Sequence, residues 1–199
     1  MYLMLMLELF LGLCLLAAFL HFRSTKRKHE NVSSLIDQYL TSNEEMKKTL
    51  AMGLYLRFKK DTEEKPVNYS SIFLKENPIA FETFVAETMK KSRCGSTWVS
   101  PPSNDEGIDF EHTTDKGLYL GQVKCYQGDL SFEPIALVHS NIVKRDAVGG
   151  YVITTGSFTE NARQYARDLE IELISGVELV DEWLKGLKRS EEKMKKLIS

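Results

Sequence analysis

Residues 101–126 constrain this chain more tightly than any other stretch. They read Pro-Pro-Ser-Asn-Asp-Glu-Gly-Ile-Asp-Phe-Glu, then a polar turn, then Leu-Tyr-Leu-Gly-Gln-Val-Lys-Cys-Tyr. The first half delivers Asp109 out of a glycine-containing turn, with Glu111 two residues later. The second half predicts a strand in which Gln122 and Lys124, two apart, share one face of a sheet. A hairpin-like connection through Thr113 to Gly117 lets the two segments pair, so Asp109, Gln122 and Lys124 can converge. An acid, a second oxygen ligand and a lysine around one point suit a divalent metal and a scissile phosphate. A half-buried Asp–Lys ion pair in a strand hairpin accounts for the same three residues without any chemistry.

The segments on either side predict an α/β domain from about residue 78 to 185. Pro78 suits a helix start, and Phe81, Phe84, Val85 and Met89 form one buried stripe. Gly95 ends that helix, and Ser96 to Ser100 reads as a strand. Glu133 to Val148 reads as the next helix, carrying Ile135, Val138, Ile142 and Val143, with Gly149-Gly150 as its stop. Tyr151 to Thr154 is a near-continuous apolar strand, as expected where helices cover both faces of a sheet. Thr159 caps a short helix through Arg167, Ile171 to Ile174 is a further strand, and Val177 to Leu187 a closing helix. Strands alternating with helices after a meander indicate an α/β sandwich with a mixed central sheet.

Upstream, residues 1–22 are apolar apart from Glu8 and reach the ~20 residues that a membrane helix takes. No positive charge precedes them, so a cleaved secretory signal does not fit. Arg23, Lys26, Arg27 and Lys28 follow directly. The positive-inside rule then predicts a single-pass anchor with its N-terminus outside and the remainder cytoplasmic. Residues 23–77 read as a helical stalk and linker. Val32, Leu35, Ile36, Tyr39 and Leu40, then Leu50, Leu54 and Phe58, keep near-helical spacing, and Ser42 to Glu45 restarts the helix. Pro66 and the charged surroundings mark the linker. Residues 186–199 form a basic tail.

The formal net charge of −2 over 199 residues gives no global sign of a polyanion partner, so any such surface is local. Basic clusters occur at 23–28, 57–60, 90–93 and 185–196; solvated faces explain such runs equally well. Three cysteines without regular spacing, Cys14, Cys94 and Cys125, exclude a disulfide framework and agree with a reducing compartment. The four histidines form no ligand pattern. His112 adjoins Asp109 and Glu111, and reads as an exposed turn residue or a catalytic one.

Several of these residues together resemble the catalytic domain of Mrr-type restriction endonucleases, within the PD-(D/E)xK nuclease superfamily. Asp109 in Gly-Ile-Asp-Phe matches the family aspartate, and Gln122-Val123-Lys124 matches the (E/Q)xK element. Phe81-Glu82 opening a helix, Thr154-Thr155-Gly156-Ser157-Phe158-Thr159 followed by Ala162, and Leu173-Ile174-Ser175-Gly176 fall in family order, over residues 78 to 182. Cys125-Tyr126 departs from the basic residue that often follows the family lysine.

The resemblance implies a restriction-endonuclease-like sandwich and a metal-dependent DNA endonuclease active in restriction of foreign DNA. Asp109 would contact Mg2+ or Mn2+ directly, Gln122 would supply a neutral oxygen, and the Val123 carbonyl would assist. Lys124 would orient the attacking water and stabilise the phosphorane. Glu82 would hold a metal-bound water from its helix, though a solvated helical glutamate explains it as well. Thr155, Ser157 and Thr159 stand where a strand end meets a helix N-terminus and could bind a phosphate; loop and cap roles also account for them. Cutting both strands needs two sites, hence a homodimer or two encounters. Two rivals are a nuclease-fold tether holding DNA or a partner at the membrane, and a structure-specific nuclease of repair or transfer.

Overall fold

The computed structural model describes residues 2–60, 75–101 and 107–198. The expected linker around Pro66 and residues 102–106 of the turn ahead of Asp109 lie outside the described residues. In chain order the elements are α1 (Tyr2–Ser42), α2 (Glu44–Phe58), α3 (Pro78–Arg93), β1 (Ser96–Val99), β2 (Phe110–Thr114), β3 (Gly117–Lys124) and β4 (Asp129–Leu130). They continue with α4 (Glu133–Arg145), β5 (Gly149–Thr154), β6 (Ser157–Phe158), α5 (Glu160–Ala166), β7 (Ile171–Ile174) and α6 (Gly176–Ile198). The chain divides into two compact units, Met1–Asn43 and Glu44–Ser199.

The first unit is α1, one uninterrupted helix. Among the described residues no helix is long and apolar enough to cross a membrane. The described side chains of α1 are mainly apolar and exposed from Phe10 to Phe22. From Arg23 the helix turns basic. The expected single-pass anchor is therefore not supported.

In the second unit, a five-stranded sheet runs in the order β1-β2-β3-β5-β7. β1, β2 and β3 form an antiparallel meander, and β5 and β7 add in parallel, so the sheet is mixed. Phe110 and Gly121 are register partners in the central hairpin. A Cβ on Gly121 would lie 2.1 Å from the Phe110 ring, so only glycine lets that ring cross the neighbouring strand. β5 is buried along its whole length, as expected of an inner strand covered on both faces.

One face of the sheet carries Phe110, Val123, Tyr151 and Ile153, which pack with Phe81, Val85 and Met89 of α3 and Leu179 and Val180 of α6. The other face carries Leu120 and Val152, packed with Ile135 and Val138 of α4 and Ala162 and Ala166 of α5. α4 ends at Arg145 with Asp146 in the left-handed region (φ 52°), three residues before the expected stop. Gly149 and Gly150 instead open β5. A Cβ on Gly150 would come within 2.6 Å of Val138 of α4, and one on Gly149 within 2.7 Å of the Glu170 carbonyl, so each is small for its own close neighbour.

Helix α2 departs from the expected stalk. Ala51, Leu54 and Phe58 are buried in the first core cluster. The Phe58 ring lies 5.1 Å from that of Phe81 and 5.4 Å from that of Phe84. Lys47 reaches Asp181 of α6 at 2.8 Å. The apolar spacing of 50–58 thus marks a domain helix, not a spacer. The expected tail over 186–199 likewise continues α6 to Ile198, helped by a Lys195–Glu191 pair at 2.8 Å.

Candidate active site

Asp109 enters the sheet one residue ahead of β2 and is held on both sides by backbone. Its N–H donates to the Gly121 carbonyl and its own carbonyl accepts from Ser100 N–H, each at 2.9 Å. The carboxylate is buried, and its Oδ2 accepts the backbone N–H of Val123 at 2.5 Å. A buried carboxylate needs such a donor, since an unpaired buried charge costs several kcal/mol. Asp109 is thus coupled to the residue between Gln122 and Lys124.

Gln122 is 4 % exposed, and its side-chain oxygen is buried without a hydrogen-bond partner among the described residues. Leaving an amide acceptor unsatisfied costs about 1–3 kcal/mol. Such an orphan oxygen beside a buried carboxylate fits a cation ligand. Lys124, on the same strand face, closes β3 exposed to solvent, opposite Thr154 of β5. These groups cluster at the carboxyl ends of the parallel strands β3 and β5, where open α/β sheets bind ligands. Among the described residues no group of three or more His, Cys, Asp or Glu gathers. The donors present are one carboxylate, one amide oxygen and backbone carbonyls, a set that suits Mg2+ or Mn2+, which keep several waters.

The other expected site residues are placed differently. Glu82 is half-buried in the second turn of α3, beside Phe81 of the first core cluster. The hydroxyl of Thr155 accepts from Tyr126 N–H at 3.0 Å and donates to Tyr126 carbonyl at 2.9 Å, which ties the β5 end to the segment after Lys124. Thr159 caps α5 through Ala162 N–H at 3.2 Å. Ser157 accepts from Arg163 at 3.1 Å. Thr155 and Thr159 therefore hold backbone, and Ser157 with Arg163 is the pair that could face a phosphate. The sequence reading missed Arg163 because its polar position on α5 carried no sign of the Ser157 contact.

His112 is fully buried in β2, neither an exposed turn residue nor placed for catalysis. Its Nε2 lies 2.5 Å from the Cys94 carbonyl and its Nδ1 3.4 Å from the Tyr151 hydroxyl. Burial pushes the Tyr151 hydroxyl up to about 12, with Arg93 pulling the other way. Arg93 bonds both oxygens of Glu172, the longer at 2.7 Å, and Glu182 at 3.1 Å. Next to Lys124, burial pushes the Cys125 thiol up, and a hydrogen bond with Thr155 opposes this.

A mixed five-stranded sheet between helical layers, with an acid entering β2 and Gln-x-Lys closing β3, defines a restriction-endonuclease-like domain. Residues 73–183 match the Mrr_cat family model, described as a restriction endonuclease. The chain belongs to this family of restriction endonuclease catalytic domains. Two solved structures are similar over part of their length. The MspJI restriction endonuclease in complex with a 27-mer oligonucleotide is 25 % identical, with a TM-score of 0.42, over 56 % of this chain and 28 % of that one. The DNA modification-dependent restriction endonuclease AspBHI is 16 % identical, with a TM-score of 0.48, over 73 % and 35 %. This chain thus spans about a third or less of those proteins. No curated protein matches it.

Proposed function

We propose that this chain is a metal-dependent endonuclease that hydrolyses DNA phosphodiester bonds in restriction of foreign DNA. The observation that carries the reading is the orphan side-chain oxygen of Gln122, buried beside the Asp109–Val123 junction. Asp109, Gln122 and the Val123 carbonyl would hold Mg2+ or Mn2+. The bound ion supplies charge neutralisation on the phosphate and a water made acidic enough to attack near neutral pH.

The chain's own residues supply the rest. Lys124 donates to a non-bridging phosphate oxygen and stabilises the charge that builds on the pentacovalent phosphate. The backbone N–H of Val123 holds the Asp109 carboxylate in orientation. Glu82, from the α3 side, would receive a hydrogen bond from a water in the site. Ser157 and Arg163 would contact a neighbouring phosphate. A neutral Gln122 in place of a second acid leaves the site with little negative charge, so metal affinity is modest.

The test uses the full chain with supercoiled, linear, methylated and branched DNA, plus Mg2+ or Mn2+, beside Asp109→Ala and Lys124→Ala. Metal-dependent cutting lost in both variants supports the reading. DNA binding without cutting, unaltered in both variants, would favour the tether instead. Cutting both strands takes two sites, and light scattering on the full chain separates a homodimer from successive encounters.

Location is proposed on separate grounds. Exposed apolar side chains on α1, followed by Arg23, Lys26, Arg27 and Lys28, support attachment to a membrane with the nuclease unit on its cytoplasmic side. Recovery of the chain in the soluble fraction after cell lysis would end that idea.

A further inference from the structure

Helix α2 precedes the residues matched by the family model, yet its C-terminal end is held against the segment that leaves the candidate active site. The Cys125 thiol, next to Lys124, donates to the Tyr55 carbonyl at 3.7 Å. An open depression of about 490 Å3 lies at this seam, lined by Tyr55, Lys59, Lys60 and Tyr126 among others. A second, of about 570 Å3, shares Lys59 and Lys60 and adds Lys75, three residues before α3. A third, of about 330 Å3, shares Tyr55 and leads on to Gly156 and Ser157. The first adjoins each of the other two through these shared residues, and together they make a groove beside the C-terminal end of α2 and the residues that follow Lys124.

Its lining is cationic and aromatic. Lys59, Lys60 and Lys75 line it, and the acid among them, Glu76, is paired with Arg57 at 2.6 Å. The Lys75 ammonium donates to the Lys59 carbonyl and closes one edge. Lys59 sits 5.9 Å from the Tyr55 ring, and Tyr126 is 50 % exposed. Farther along, Lys48 is paired with Glu45 at 2.9 Å and Asp129 enters the lining, so the positive character is concentrated at the Lys59–Lys60 end. Ammonium groups beside the half-buried Tyr55 and the exposed Tyr126 in an open groove suit a polyanion with stackable bases, not an enclosed small molecule.

We propose that this groove is the track for the DNA strand on one side of the scissile bond. Lys59 and Lys60 contact its phosphates and Tyr126 stacks on a base. The proposal rests on the nuclease reading for its polarity toward Lys124, and it assigns a substrate-binding role to the two lysines that follow α2, outside the family-matched residues.

The test measures binding of the full chain to fluorescent single-stranded and duplex DNA across a salt series without divalent metal. Wild type is compared with Lys59→Ala/Lys60→Ala, Tyr126→Ala and the control Lys90→Ala/Lys91→Ala, with wild-type cutting measured in parallel. Each phosphate contact contributes about 0.9 to the slope of log K against log salt on duplex and about 0.7 on single strands. The double variant should therefore flatten the duplex slope by about 1.8 and weaken binding at least tenfold. Tyr126→Ala should weaken single-strand binding roughly fivefold or more, and the control should match wild type.

An unchanged slope in the double variant, with wild-type cutting intact, overturns the groove and leaves the nuclease standing. A flattened slope in a chain that does not cut upholds the groove and removes the nuclease reading. Equal losses in the control variant overturn the groove in favour of diffuse charge.

Discussion

The Asp109 carboxylate accepts the backbone N–H of Val123 at 2.5 Å, across the seam between the β2 entry and β3. This single bond fixes the acid relative to the two side chains flanking Val123. Gln122 and Lys124 point to one strand face by alternation, so their positions follow from the same register. The acid therefore serves twice, as a charge in the site and as the acceptor that indexes the strands.

These two roles separate by substitution. Asp109→Asn keeps an acceptor for Val123 N–H but removes the charge, and should cut DNA at least 100-fold more slowly with stability near wild type. Asp109→Ala also strands that N–H and should lose about 1–3 kcal/mol of stability. Lys124→Met, at an exposed strand end, should likewise lose 100-fold or more in rate with little change in urea midpoint. Supercoiled-plasmid nicking and urea unfolding read the two effects. Asp109→Asn retaining wild-type rates would remove the carboxylate from the mechanism.

Gln122→Glu gives the opposite kind of change. A second carboxylate beside Asp109 raises metal affinity but repels when the site is empty. The Mg2+ concentration for half-maximal cutting should fall about tenfold or more. In chelator, the variant should melt below wild type, and Mn2+ should raise its Tm more than it raises wild type's. A thermal-shift titration checks both signs, and equal shifts in the two proteins would exclude Gln122 as a metal ligand.

The strand hairpin, the helix stripe of α3 and the cap at Thr159 were legible because each is a local matter of period or capping. Pairing of Asp109 with Gln-Val-Lys was also legible, since turn length fixed the register. What escaped was set by tertiary contact. The spacing of Leu54 and Phe58 is the same for a stalk and a domain helix until Phe81 and Phe84 are placed against it. The hold of the Thr155 hydroxyl on the Tyr126 backbone was not legible either, because nothing local brings the two together. His112 looked exposed because a polar residue in a short strand gives no hint of the Cys94 carbonyl waiting for it. The two-residue strands β4 and β6 are too short to leave a periodic signal.

Phe58 tests whether α2 belongs to the catalytic unit. It is fully buried against Phe81 and Phe84. Truncation to alanine should cost about 3–5 kcal/mol in urea unfolding, as for other buried aromatic residues. A spacer helix would lose next to nothing. The same logic predicts that Leu56→Ala, on the exposed side of α2, stays within about 0.5 kcal/mol of wild type.

The last prediction concerns the far end of the sheet, where Arg93 joins Glu172 and Glu182 over the Tyr151 ring. Burial pushes the Glu182 carboxyl up, but hydrogen bonds from Arg93 and Ser92 outweigh it and hold it below the usual range. A folded value below the unfolded one gives stability that is present above the ordinary glutamate range, near 4.3. That stability is lost as pH falls through the folded value. Glu182→Gln should therefore be weaker than wild type by about 2 kcal/mol at pH 7, and the gap should close toward pH 3. Tyr151 has the other sign. Its hydroxyl, pushed up to about 12 by burial, favours the neutral form on folding, so stability declines as pH rises from 10 toward 12. Tyr151→Phe has no proton to lose there and should flatten that decline. Urea midpoints across pH 3 to 12 for wild type and both variants follow the two limbs separately. A gap for Glu182→Gln that persists at pH 3 would mean that packing, not the ion pair with Arg93, holds this corner.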